Sequence, residues 1–471
     1  MDIFQNFKYS LRSKIIVIGL TFFLNLLIVR FLPVQDYAIY VLILAIVNFV
    51  GIFSFLGFGN AMQFFVSEHH SNNVKAKKYF GTGFSTIVIF SLISSLVIIL
   101  FSSLLSNAYK IPATFFFLAG VFIFVRAIFG ISIITLVANN KIKELSFANF
   151  LHTLSRYLII IIIFLGFGAF NILIAELIVS FVIIIIAVFS LKKILSVSFN
   201  FSVFKDLFVF ARKVVISDTI GILLTPLYTF VLGLFSLSSL AFFSAALKIS
   251  YFFLLFGQSI STVFFPVFVY NRKNIKKIRN FIFILMRFII IFFSFCLVNV
   301  IIFAKDILYI VMGGKYLTVG NILIIQCFAM VFEVFFMILF MYFNASKRPI
   351  YSTYSLLFKA IITITSLFVT IPLFLEYGAT ISLFISASLG NLLIYYYSKK
   401  IIEWSFPTRT FLNCIIAGFF CFLIVKSTLL FTTGFVSLVL GGFVSLSYFG
   451  FLILLKELKK DDLNYLKKIV F

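Results

Sequence analysis

The chain has 471 residues, of which 63% are hydrophobic and only 11% charged, with a mean hydropathy of +1.22. That excludes an ordinary soluble domain, where roughly 45 to 50% of residues are apolar. The net charge of +24 would suit nucleic acid, but its distribution along the chain sets that partner aside and points to a polytopic membrane protein.

Apolar runs of about 18 or more residues mark membrane-crossing helices. In chain order they predict helices at 14–32, 37–58, 81–104, 112–137, 148–168, 171–191, 207–235, 239–268, 281–303, 317–343, 351–374, 377–398, 410–428 and 434–455. The expected fold is therefore all-α, with 14 transmembrane helices. With the N-terminus in the cytoplasm, 26 Lys and Arg fall in cytoplasmic segments and five on the other side. Those five are Arg30, Lys110, Lys305, Lys315 and Lys426, and the remaining seven lie within or at the edges of helices. This positive-inside bias puts both termini in the cytoplasm. Runs such as "RKNIKKIR" (272–279) set topology and touch anionic lipid heads. The first apolar run lacks a cleavage site and reads as a retained helix. Cys296, Cys327, Cys414 and Cys421 all fall in predicted helices without ligand spacing, so they imply packing rather than a disulfide framework or a metal site.

The chain also carries an internal repeat. "VANNKIKE" (137–144) corresponds to "YFNASKRP" (342–349), and "DYAIYV" (36–41) to "SLAFFS" (239–244), at offsets of 203 to 204. Six helices per repeat make the halves parallel, related by an axis along the membrane normal. The expected organisation is an N-terminal lobe over 1–200, a C-terminal lobe over 201–402 and a helix pair with a cytoplasmic tail over 403–471, the lobes enclosing a central cavity.

The repeat sets Arg156 opposite Lys359. Each is expected about nine residues into its helix, roughly 13 Å along at ~1.5 Å per residue. A deep charge costs about 2.5 to 3.5 kcal/mol on insertion scales, so a repeated one suggests a water-accessible cationic cavity. Ser352, Ser355, Lys359, Thr363 and Ser366 form a polar stripe, as do Asn149, His152, Thr153 and Arg156. Arg126, Asp218, Lys248 and Glu333 could line the same space, with Arg30 joining the cationic set. The same residues also admit a structural reading, as interhelical ion pairs or as cations snorkelling to the lipid heads.

No GxxxxGK[ST] loop occurs, since "VMGGKY" (311–316) lacks the earlier Gly and the following Ser or Thr, so ATP hydrolysis is not expected. His69 and His70 lie in a predicted cytoplasmic loop, and His152 is placed to titrate near the cavity mouth. No external loop is long enough for the soluble domain of a membrane glycosyltransferase or polymerase. The expectation is a carrier for an anion, not an enzyme, with no cofactor and no metal. Arg pairs bidentately with phosphate oxygens and Lys supplies a point charge. Pro226 removes a helix hydrogen bond and, with Gly221 one turn earlier, is the expected hinge, or else a static kink.

"RFLPVQDYAIY" (30–40), "SLAFFSAALKI" (239–249) with Pro266 beyond it, "VMGGKYLTVGNILIIQCFAM" (311–330) and "EYGATISLFISASLGNLLIYYY" (376–397) resemble the polysaccharide flippases of the multidrug/oligosaccharidyl-lipid/polysaccharide (MOP) exporter superfamily. The likeness is to the Wzx O-antigen-unit translocases in particular. The first stretch keeps Arg30, Leu32, Tyr37 and Tyr40 and departs at Pro33, Val34, Gln35 and Ala38. The resemblance implies flipping of an undecaprenyl-pyrophosphate-linked oligosaccharide across a bacterial inner membrane by alternating access, for lipopolysaccharide or similar surface polysaccharide. It also implies coupling to an ion gradient, for which Asp218, Glu333 and Glu176 are the candidate acids, and a polysaccharide polymerase and chain-length regulator as partners. The alternative within the superfamily is a multidrug cation exporter. Helices thirteen and fourteen exceed the family's core of twelve. Ser437, Gly441 and Ser445 predict close packing of the fourteenth against a neighbour.

Overall fold

In hydrocarbon a backbone must satisfy its own hydrogen bonds, and a single apolar run does so only as a helix. The computed structural model describes residues 3–69, 73–139, 141–191, 197–272, 274–429 and 441–457. Among them every regular element is helical, and ten helices are long and apolar enough to cross a membrane. A helix stands at each of the fourteen predicted runs, the last over Gly441–Leu454 with its start outside the described residues. The all-α polytopic fold is thus established.

Two compact units divide between Ala241 and Phe242. The first contains α1 (Ile3–Phe31), α2 (Val34–Phe55), α3 (Phe58–Glu68), α4 (Asn73–Leu100), α5 (Ser102–Tyr109), α6 (Ala113–Ala138), α7 (Ile142–Arg156), α8 (Leu158–Phe164), α9 (Ala169–Leu191) and α10 (Phe201–Phe235). Pro33 and Pro112 cap α2 and α6 at positions where a missing N–H costs nothing. The run predicted at 37–58 ends in a left-handed Leu56 and Gly57, and α3 occupies the start of what reads in sequence as a loop. Gly57, at φ 80°, is required there: a Cβ would lie 2.7 Å from the Ala211 carbonyl oxygen of α10. So α10, which opens the second repeat in sequence, packs on α2, α3 and α4 of this unit. Phe58, Met62, Phe80, Leu207 and Ala211 form the core of that junction.

In the second unit, which begins inside α11 (Leu237–Asn271), the chain continues through α12 (Ile275–Met312), a 3-10 turn (Gly314–Val319), α13 (Gly320–Ala345), α14 (Pro349–Ser388), α15 (Leu392–Ile402), α16 (Thr408–Leu429) and α17 (Ser447–Leu454). α14 is two antiparallel helices in one hydrogen-bonded run, reversing at Leu375 (φ 47°, ψ −122°). A ladder of hydroxyls closes the hairpin: Thr370 Oγ1 donates to the Gly378 carbonyl at 2.7 Å, Ser366 and Ser382 meet at 2.7 Å, and Thr363 and Ser386 at 2.6 Å. A Cβ at Gly378 would overlap the Thr370 carbonyl. This stripe therefore seals helix eleven to helix twelve, a packing role that a polar period alone does not distinguish from cavity lining.

α16 and α17 pack on α12 through Ile290, Ile291, Phe303, Cys414, Cys421, Val425, Tyr448 and Leu452. Gly441 admits Phe303 and Val425 where a side chain would collide, as its small-residue spacing predicts, while Ser437 lies outside the described residues. Beyond α17, Glu457 closes the bundle. Arg287 Nη2 of α12 donates to its Oε1 at 2.9 Å and its carbonyl at 2.8 Å, Asn413 Nδ2 donates to Oε2 at 2.8 Å, and Thr410 donates a short bond to Oε1. Burial alone would push the Glu457 carboxyl up, but the hydrogen bonds from Thr410, Asn413 and Arg287, with the Arg287 charge, outweigh it and hold the carboxyl below its ordinary range. A depressed acid adds stability that is complete above its unfolded pKa and is lost as pH falls through the folded one. Thermal unfolding of purified protein is expected to lose this contribution progressively below about pH 4.5. In Glu457→Gln that acid-dependent loss should vanish, and neutral-pH stability should fall by about 1.5 to 3 kcal/mol as Arg287 loses its charged hydrogen bond to the Glu457 carboxylate.

Candidate functional site

Arg156 closes α7 at a local tightening of the helix: Tyr157 N–H bonds the Leu154 carbonyl and Ile160 N–H bonds that of Tyr157, both three residues back. Tyr157 Oη anchors the turn on the Leu20 carbonyl of α1 at 2.7 Å. From here the Arg156 guanidinium reaches Glu176 of α9, Nε lying 3.0 Å from each carboxylate oxygen and Nη2 2.5 Å from Oε1. Tyr40 of α2 donates to the same Oε1 at 2.8 Å. The pair is nearly enclosed, with 14% of the Arg156 and 6% of the Glu176 side chain exposed. Such a charge-assisted bidentate contact is strong in a low-dielectric interior. Arg126 of α6 and His152 of α7 lie in the field of this pair, and both lean on the Phe129 ring, at 5.7 and 5.1 Å. A second guanidinium thus stands near the Arg156–Glu176 pair without bonding its carboxylate.

The second unit builds its own pair. Lys359 Nζ of α14 sits 2.5 and 2.7 Å from the two oxygens of Glu333 on α13, with 14% and 19% of the side chains exposed. Gly390, in the break between α14 and α15, makes room for the lysine stem, since a Cβ there would stand 2.9 Å from Lys359 Cγ. Both repeat-related cations are therefore already neutralised, and each by a residue that reads in sequence as an acid for ion coupling. The anion comes from a helix later in the chain in the first unit, α9, and from the preceding helix, α13, in the second. Depth differs too. α7 starts at Ile142, earlier than the apolar run, so Arg156 stands 14 residues along it and Lys359 10 residues along α14, roughly 21 and 15 Å at ~1.5 Å per residue.

A cavity of about 560 Å³ opens within the second unit between α12, α13 and α16, lined by side chains including Met286, Ile290, Phe332, Phe335, Trp404 and Phe419. Trp404, the one tryptophan of the chain, donates Nε1 to Ser398 Oγ at 3.0 Å. Lys399 Nζ rests 5.5 Å from its ring and 5.8 Å from that of Tyr395. The wall is almost wholly apolar and aromatic, suited to hydrocarbon, with a cation at its edge.

The other predicted residues are dispersed. Arg30 ends α1 exposed, its guanidinium 6.0 Å from the Phe31 ring. Lys248 is half-buried on α11. Pro226 lies inside α10, whose helical run continues through it, whereas the side chain of Asp218 and the surroundings of Gly221 lie outside the described residues. Tyr40 belongs to the "DYAIY" motif, but nothing in the sequence ties it to an acid 136 residues away.

A sequence model of the family described as "Polysaccharide biosynthesis protein" matches residues 27–321. No curated protein matches the chain by sequence. Among solved structures, the lipid II flippase MurJ in an inward closed conformation superposes with a TM-score of 0.74 over 95% of this chain and 99% of its own, at 17% identity. An inward-facing multidrug resistance MATE family transporter of the MOP superfamily gives 0.66 over 81% and 94%, at 14% identity. A MOP superfamily transporter from Pyrococcus furiosus gives 0.51 over 84% and 93%, at 12% identity.

The neutralised pair in the second unit predicts strong coupling between its members. Lys359→Met and Glu333→Gln should each destabilise the protein by about 3 to 5 kcal/mol, whereas the double variant should recover most of that loss. A thermal-unfolding cycle in detergent measures it.

Proposed function

The chain belongs to the polysaccharide biosynthesis protein family, and we propose that within it this protein flips undecaprenyl-pyrophosphate-linked oligosaccharide repeat units from the cytoplasmic to the periplasmic leaflet of a bacterial inner membrane. The product serves O-antigen, lipopolysaccharide or a similar surface polysaccharide. The observation that carries this reading is the cluster in which Arg156 is paired with Glu176 while a second guanidinium, that of Arg126, stands nearby on the Phe129 ring, a concentration of positive charge that an anionic pyrophosphate would meet. The apolar cavity beside Lys399 supports a lipid-linked cargo, since hydrocarbon is the chemistry its wall accepts. A fold held in common with a lipid II flippase agrees with it. Alternating access moves the cargo, with both termini in the cytoplasm.

An ion gradient supplies the work, one charge crossing ~100 mV being worth about 2.3 kcal/mol. Glu333, Glu176 and Asp218 are the candidate coupling acids, and α10 around Gly221 and Pro226 is the candidate hinge. A polysaccharide polymerase and a chain-length regulator act on the exported units. Export of cationic drugs is the alternative that the MATE likeness raises. It is disfavoured because Glu176 and Glu333, the acids such a cargo would need, are each engaged by a cation.

Deletion of the gene is expected to accumulate single lipid-linked units on the cytoplasmic leaflet, measured by leaflet-specific labelling of extracted lipids. A polymerase defect would instead still export single units, and a change in drug sensitivity alone would overturn the proposal. Arg156→Ala and Lys359→Ala together should lower surface-polysaccharide complementation at matched membrane levels at least tenfold, a loss of about 1.4 kcal/mol or more in transport free energy.

A further inference from the structure

Glu176 occupies the place on Arg156 that a phosphate would take. An incoming anion must therefore displace it, and the displaced carboxylate stays buried. A buried carboxylate without a donor is costly, so exchange at Arg156 requires another group to hold Glu176. Tyr40 is that group: its hydroxyl bonds Oε1 at 2.8 Å and is carried by α2, a different helix from α7, which carries the arginine. The side chain is 4% exposed and its position is set by packing. Arg156 Nη1 takes no part in the pair, so an anion can meet it before the carboxylate leaves.

The internal repeat provides a built-in comparison. Tyr40 aligns with Phe243 in the second unit, which has no hydroxyl, and there both Glu333 oxygens bond Lys359. Among the described residues, a tyrosine donates to the acid of the pair in the first unit alone.

We infer that Tyr40 is the positioning residue of an anion-exchange site, holding Glu176 when the phosphate group of a ligand takes over Arg156. The inference rests on the reading that a phosphate anion reaches this cluster.

The test is calorimetric titration of the full-length protein in nanodiscs with inorganic pyrophosphate and, separately, with farnesyl pyrophosphate. Tyr40→Phe should weaken binding of either probe about tenfold, the effect of losing one hydrogen bond to a charged group. Glu176→Gln should tighten it by a similar factor, because a neutral amide competes poorly for the guanidinium. The double variant should bind like Glu176→Gln alone, since no carboxylate is left for Tyr40 to hold. Should Glu176→Gln fold poorly, Glu176→Asp, which keeps the charge but draws it back from Tyr40, should reproduce the Tyr40→Phe loss. Tighter binding of farnesyl pyrophosphate marks a lipid head as the ligand, and equal binding marks free phosphate, with the order of variants expected in both cases. Unchanged affinity in Tyr40→Phe, or a double variant weakened relative to Glu176→Gln by the same factor as Tyr40→Phe is relative to wild type, would overturn the exchange role while leaving the anion site in place. Failure of the wild type to bind either probe would sink both.

Discussion

A charge that leaves water inside a helical bundle must find its counter-charge there, because hydrocarbon supplies none. Much of this protein's interior is organised by that constraint. Arg156 binds α7 to α9, with Tyr40 drawing in α2; Lys359 binds α14 to α13; Arg287 binds α12 to Glu457, just beyond α17. Lipid tails are as apolar as leucine, so the hydrophobic effect does little to choose among helix neighbours in a membrane. The ion pairs do choose, since an arginine accepts one carboxylate at one geometry. Small residues then set how closely the chosen helices approach, as at Gly57, Gly378, Gly390 and Gly441.

Much of this architecture was legible in the residues. Fourteen apolar runs and the basic bias of the segments between them lead directly to an all-α membrane fold, because length and hydropathy are the properties a bilayer selects. The departures are local and have physical causes. Leu56 and Gly57 break the second run because α10 needs the space. α7 begins six residues before its apolar run, since amphipathic turns extend a helix without adding hydropathy. The candidate site was half legible. Arg156, Lys359, Glu176 and Glu333 all stand out as intramembrane charges, but their pairing joins residues 20 and 26 positions apart on separate helices, and periodicity cannot see across helices. Tyr40 stands out as a motif residue with no role attached until its acid lies 2.8 Å away.

The two units hold their buried cations in different ways. Arg156 and Lys359 stand at different depths in their helices, with their counter-ions on different neighbouring helices, and Tyr40, which bonds the first unit's acid, is matched by Phe243 at the same offset in sequence. The Arg156 guanidinium meets its carboxylate as a planar, oriented donor, whereas the Lys359 ammonium meets its own as a compact point charge.

Trp404 stands in the wall of the apolar cavity, buried and tied through its indole to Ser398. Since the chain contains one tryptophan, its fluorescence comes from a single place, free of the averaging that blurs most proteins' emission. Whatever fills or drains that cavity changes the polarity around one indole. The molecule therefore carries a native optical gauge of this apolar cavity, and no dye or label needs to be attached to read it.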